Sequence, residues 1–209
     1  MTRILFLSNG HGEDLIAATI IRELQKTMTA EIIAMPIVGE GKVFNSLPVS
    51  VIGPRRPMPS GGFVYLSLWH MLKDIGSGLI GTTASQIRTL LSLRGTIDLT
   101  VSVGDVVPIY GALLSGAPFL FYGCAKSDYF NYSYNGWELW LLKRYCRNAF
   151  ARDPKTAAHF KRFGIRSEFV GNPMMDAFEV TGEKFGIAGD AVVIGILPGT
   201  RDDVWINMD

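Results

Sequence analysis

The chain has 209 residues, enough for one large α/β domain or for one domain and the start of another. Apolar residues make up 48% and charged residues 19%, which excludes a disordered chain. The 20 Lys and Arg against 19 Asp and Glu leave a formal net charge of +1, which excludes a sequence-independent grip on nucleic acid and makes any anion site local.

The chain opens with Ile4 to Ser8, a short continuous apolar run expected to form a central parallel strand. It is too short for a signal peptide and is interrupted by Asn9-Gly10-His11-Gly12, so a cytoplasmic protein is expected. From Asp14 to Gln25 the apolar residues Leu15, Ile16, Ile20, Ile21 and Leu24 recur at helical spacing, and Glu31 to Pro36 supplies the next strand. Residues 53–62 carry too many Pro and Gly for a regular element and read as a loop. Tyr65 to Lys73 and Ala84 to Leu93 are expected to be helical, and Leu99 to Val103 to be a buried strand ending at Gly104-Asp105.

Val106 to Ala125 lacks charge over nearly a membrane span. Pro108, Gly111, Gly116, Pro118 and Gly123 break it, so a buried helix, a turn and a strand over Pro118 to Tyr122 are expected instead. There follow a helix from Trp137 to Cys146 and a strand from Asn148 to Ala151. A helix from Pro154 to Phe163 is opened by Asp153 as N-cap, and a last strand covers Glu168 to Val170. This alternation predicts a Rossmann-like α/β fold, a mainly parallel sheet with helices on both faces. The expected organisation is a first domain over 1–173, a linker over 174–189 and, over 190–209, the first strand and turn of a truncated second domain. That strand is Ala191 to Leu197. Cys124 and Cys146 have neither metal-ligand spacing nor the density of a disulfide scaffold, as suits a reducing compartment.

Parallel sheets hold ligands at the carboxyl ends of their strands, which puts four loops in view. Asn9-Gly10-His11-Gly12-Glu13-Asp14 combines two glycines, which let backbone approach a ligand, with an imidazole and two carboxylates at a helix start. His11 can take a proton from a hydroxyl near neutral pH, or the loop is a turn whose side chains only cap the helix. Leu15 occupies the third glycine position of a dinucleotide fingerprint, which disfavours an NAD enzyme. Asp105 reads as an acid that orients a hydroxyl or the histidine, or as an N-cap. Lys126 places a cation near the same edge or is solvated surface, and Gly199, Thr200 and Arg201 follow a strand with the equipment to grip a diphosphate. The aromatic region from Tyr129 to Tyr145, with Lys143, Arg144 and Arg147 nearby, reads as core or as a lipid interface.

Phe169-Val170-Gly171-Asn172-Pro173-Met174-Met175-Asp176 resembles the segment joining the two domains of glycosyltransferases of the lipid-A-disaccharide synthase type. Ile196-Leu197-Pro198-Gly199-Thr200-Arg201 resembles the Leu-Pro-Gly-Ser-Arg turn that opens their donor domain. Ser8 to Ala18 is similar in position to their first loop and helix. Its Gly-His pair also resembles the undecaprenol-linked N-acetylglucosaminyltransferases, and His11 departs from the synthase pattern.

The resemblance implies the amino-terminal half of a two-domain GT-B glycosyltransferase. Such an enzyme moves a sugar from a UDP-sugar to a lipid-linked sugar by inverting transfer, with His11 or Asp105 as base. It implies that the amino-terminal domain binds the acceptor, for which the loop residues Asn9, Gly10, Gly12, Glu13, Asp14 and Lys126 are the candidates, with a donor diphosphate on Gly199, Thr200 and Arg201 and no metal or cofactor besides the UDP-sugar donor. Peripheral membrane contact through Pro57 to Trp69 or the aromatic segment and a missing second half are expected with it, and the unpaired edge of the strand Val192 to Leu197 invites a homodimer. The rival expectations are a UDP-sugar 2-epimerase, which would need no acceptor, and a non-catalytic acceptor-binding half of a split enzyme.

Overall fold

In the computed structural model, which describes residues 1–55, 79–130, 133–187, 189 and 191–196, the buried apolar runs of the sequence form parallel strands. They are β1 (Arg3–Ser8), β2 (Glu31–Pro36), β3 (Ser50–Val51), β4 (Leu99–Gly104), β5 (Phe119–Gly123), β6 (Cys146–Ala151) and β7 (Ser167–Glu168). The sheet runs β3-β2-β1-β4-β5-β6-β7, with every pairing parallel. Helices alternate with the strands: α1 (His11–Thr27), α2 (Leu79–Ser92), α3 (Val106–Ser115), α4 (Gly136–Tyr145) and α5 (Pro154–Arg162). The expected Rossmann-like α/β fold is therefore observed.

Burial on both faces explains why the strands read as unbroken apolar runs rather than alternating ones. Leu5 and Leu7 of β1 join a cluster with Met35, Ile109, Phe121, Leu142 and Phe160, whereas Ile4 and Phe6 join another with Ile16, Ile21, Phe44 and Val103. Full burial of each such side chain contributes about 1.5–3 kcal/mol. The register aligns Ser8 with Val103 and Gly104 with Gly123, which brings the carboxyl ends of β1, β4 and β5 to one edge. Strand order reverses direction between β1 and β4, and a crevice opens at such a switch point.

Helix α1 begins one turn earlier than the apolar spacing predicts. Gly10, at φ +136°, turns the chain so that the Asp14 amide donates to the Gly10 carbonyl at 2.7 Å, which draws His11, Gly12 and Glu13 into the first turn. Asp153 caps α5 as expected, with Pro154 at its start. Cys146 opens β6 instead of closing α4. The last strand ends at Glu168, and Phe169 and Val170 are exposed.

The chain divides into two units, 1–177 and 178–209. In the second unit, residues 191–196 were expected to form a strand. They form none, and Val192 and Ile194 are exposed, because an isolated strand has no partner for its backbone groups. The helix expected over Tyr65 to Lys73, most of the loop at 53–62 and Leu197 lie outside the described residues.

Candidate functional site

The β1 end leads into the site through Ser8, whose hydroxyl donates to Asp14 Oδ1 at 2.5 Å. This bond clamps the turn from inside the protein, since both side chains are buried. Burial pushes the Asp14 carboxyl up to about 6, against the Ser8 hydrogen bond and the nearby His11, which favour its charged form. Asp14 Oδ2 is buried with no hydrogen-bond partner among the described residues. Asp14 thus braces the loop from below and is turned away from solvent.

Across the switch point, Asp105 caps α3: its Oδ1 accepts from the Val107 amide at 2.8 Å and from Asn9 Nδ2 at 3.1 Å. The capping reading of Asp105 is observed, and the Asn9 bond ties the cap to the β1 loop. Burial raises the Asp105 carboxyl above its ordinary range, while the Val107 bond and Lys126 pull it down. Gly104, at φ +129°, lets Glu13 pass close: a Cβ there would lie 3.1 Å from Glu13 Cγ and 3.5 Å from Asn9 Cβ. Asn9, Gly10, Glu13, Gly104 and Asp105 are therefore brought together.

His11 is exposed and leans the other way, toward the loop after β2. A Cβ on Gly39, at φ +83°, would sit 3.5 Å from His11 Cε1. The two carriers of proton chemistry expected from sequence leave the switch point on different sides, His11 beside Gly39 and Asp105 at the start of α3. Gly12 is exposed next to His11.

Lys126 is buried, with Nζ 2.6 and 2.7 Å from the two carboxylate oxygens of Glu138. Glu138 in turn belongs to a capping box with Asn135 at the start of α4. Together with Asp105, Val106, Val107, Tyr110, Asn135 and Trp137, the ion pair lines a cleft of about 300 Å³. Sequence reasoning missed Glu138 and Tyr110. The Asn-x-x-Glu spacing at 135–138 was a legible capping signal, but the pairing of Glu138 with Lys126 comes only from the fold.

Cys124 and Cys146 are free thiols, both raised by burial, Cys146 to about 12. Tyr129 and Phe130 are exposed beside Lys155 and Arg152, whereas Tyr134 is buried against Phe160. Among the described residues no helix is long and apolar enough to cross a membrane, and no group of three or more His, Cys, Asp and Glu is placed to hold a metal ion. Gly199, Thr200, Arg201, Tyr132 and Pro57 to Trp69 lie outside the described residues.

A doubly wound Rossmann-like domain with carboxylates and glycines at its switch point is thus the class that fold and site define. No protein-family model matches the sequence, and no curated protein matches it. Among solved structures, the chain resembles an S. aureus MnaA-UDP co-structure at TM-score 0.58 and 14% identity, covering 90% of this chain and 49% of that one. It resembles the UDP-GlcNAc 2-epimerase from Methanocaldococcus jannaschii at TM-score 0.51 and 18% identity, covering 84% and 47%. A likeness to Acinetobacter baumannii MurG has TM-score 0.46 and 16% identity, over 75% and 42%. The first two likenesses are of fold. The chain spans less than half the length of each of these three structures.

Proposed function

We propose that residues 1–177 form the acceptor-side half of a two-domain UDP-sugar enzyme, a glycosyltransferase that passes a sugar from a UDP-sugar to a lipid-linked sugar. One observation carries the reading: Asn9, Glu13, Gly104 and Asp105 converge at the switch point, with His11 exposed nearby, in a fold like that of two structures whose names include UDP. The lipid-A-disaccharide synthase resemblance of the segments at 169–176 and 196–201 supports the same choice.

In this mechanism the acceptor hydroxyl loses its proton to Asp105 or His11 as its oxygen bonds to the anomeric carbon. The bond from that carbon to the diphosphate breaks on the opposite face, UDP departs, and the configuration inverts. The raised Asp105 carboxyl is a stronger base than a solvated one, and Asn9 holds it in place. Gly199, Thr200 and Arg201 grip the departing diphosphate in this reading. The lipid part of the acceptor meets the bilayer at Tyr129 and Phe130, flanked by Lys155 and Arg152, and liposome flotation tests that contact.

The test is incubation with labelled UDP-N-acetylglucosamine and a lipid-linked sugar, with the chain alone and with a nucleotide-binding half added. A new glycolipid is expected, and Asp105→Asn or His11→Ala, whichever removes the base, should lower its rate by about 10²–10⁴-fold. No glycolipid under either condition contradicts transfer. The second reading is a UDP-sugar 2-epimerase, favoured by the likeness to the Methanocaldococcus jannaschii enzyme, and it requires turnover without an acceptor.

A further inference from the structure

The cleft between the starts of α3 and α4 has features that capping alone does not explain. Trp137 lines it, remains 55% exposed, and is held from two sides. Its Nε1 donates to the Tyr110 hydroxyl at 3.0 Å, and Trp140 stacks on it at 4.8 Å between ring centroids and 17° between planes. An indole fixed this firmly yet left in water is a prearranged flat surface. The rest of the lining includes the polar side chains of Asp105, Asn135 and the Lys126 to Glu138 ion pair. At about 300 Å³ the cleft matches the lower end of small-molecule sites and suits a single ring.

A pyranose has the complementary chemistry, a face of C–H groups and a rim of hydroxyls. The C–H face packs on the indole, and the hydroxyls exchange hydrogen bonds with carboxylate and ammonium groups. We propose that this cleft is a subsite for one pyranose ring of the acceptor, seated on Trp137 with its hydroxyls toward Asp105 and the Lys126 to Glu138 pair. Tyr110 acts as a positioning residue for the indole. The inference rests on the reading of the acceptor as a sugar, and it is independent of the UDP donor.

The experiment is saturation-transfer NMR on the whole chain with the methyl glycosides of glucose and N-acetylglucosamine, without nucleotide. Saturation should reach the ring C–H protons of at least one glycoside, and Trp137→Ala should weaken its binding by about tenfold or more. Tyr110→Phe removes only the acceptor of the indole N–H. It should weaken binding by a smaller factor with an unchanged melting midpoint. Absence of signal from both glycosides overturns the proposal, as does equal binding by Trp137→Ala. Trp137-dependent binding to phosphatidylglycerol vesicles without a glycoside signal overturns it too, since the platform would then be a membrane contact. Glycoside binding without any UDP-sugar turnover leaves this subsite standing and removes the glycosyltransferase reading.

Discussion

Single residues at the switch point hold opposed tendencies in balance. Asp14 is the clearest case: burial raises its carboxyl to about 6, so the folded protein holds that proton more tightly than the unfolded chain does. Its contribution to stability is therefore fully present below the unfolded value near 4 and is lost as pH rises through 6, a change of about 2–3 kcal/mol. Asp14→Asn keeps an acceptor for the Ser8 hydroxyl and removes the charge. Urea titrations from pH 4 to 7 should show that slope in the parent and a flatter one in the variant. Tyr134 offers a second test. Its hydroxyl is buried without a partner among the described residues, and a Cβ on Gly123 would lie only 2.3 Å from it. Tyr134→Phe should leave stability unchanged or raise it by up to about 1–3 kcal/mol, measured by denaturant unfolding.

Elements were legible in the sequence where their physics is local. The strands β1, β2 and β4 were readable because both faces are buried, and α5 because Asp153-Pro154 is a start signal confined to two residues. The start of α1 was misread, since two glycines resemble a loop until the Asp14 to Gly10 backbone bond is seen. The pairing of Lys126 with Glu138, and the leaning of His11 toward Gly39, depend on segments from other strands and carry no local signal. That ion pair fastens the loop after β5 to the first turn of α4. Lys126→Met should cost about 3–5 kcal/mol by leaving Glu138 buried and uncompensated. Adding Glu138→Leu should recover part of the loss in a double-mutant cycle, less whatever the capping box contributes.

At the scale of the whole molecule, both apolar clusters draw their buried members from residues 4–165, so the first unit owns its core. A chain ending at Ala177 should unfold cooperatively with the melting midpoint of the full chain, as circular dichroism would record. The second unit exposes Val180, Val192 and Ile194, apolar surface that invites association, and light scattering should fall when residues 178–209 are removed. Under the proposed function, the switch-point edge presents an acceptor hydroxyl to a UDP-sugar. Its most direct test is the acceptor dependence of UDP release from labelled UDP-N-acetylglucosamine, with a nucleotide-binding half present. UDP and glycoside are expected in equal amounts, and only when a sugar acceptor is added. Consumption or epimerisation of the UDP-sugar at the same rate without an acceptor would contradict it.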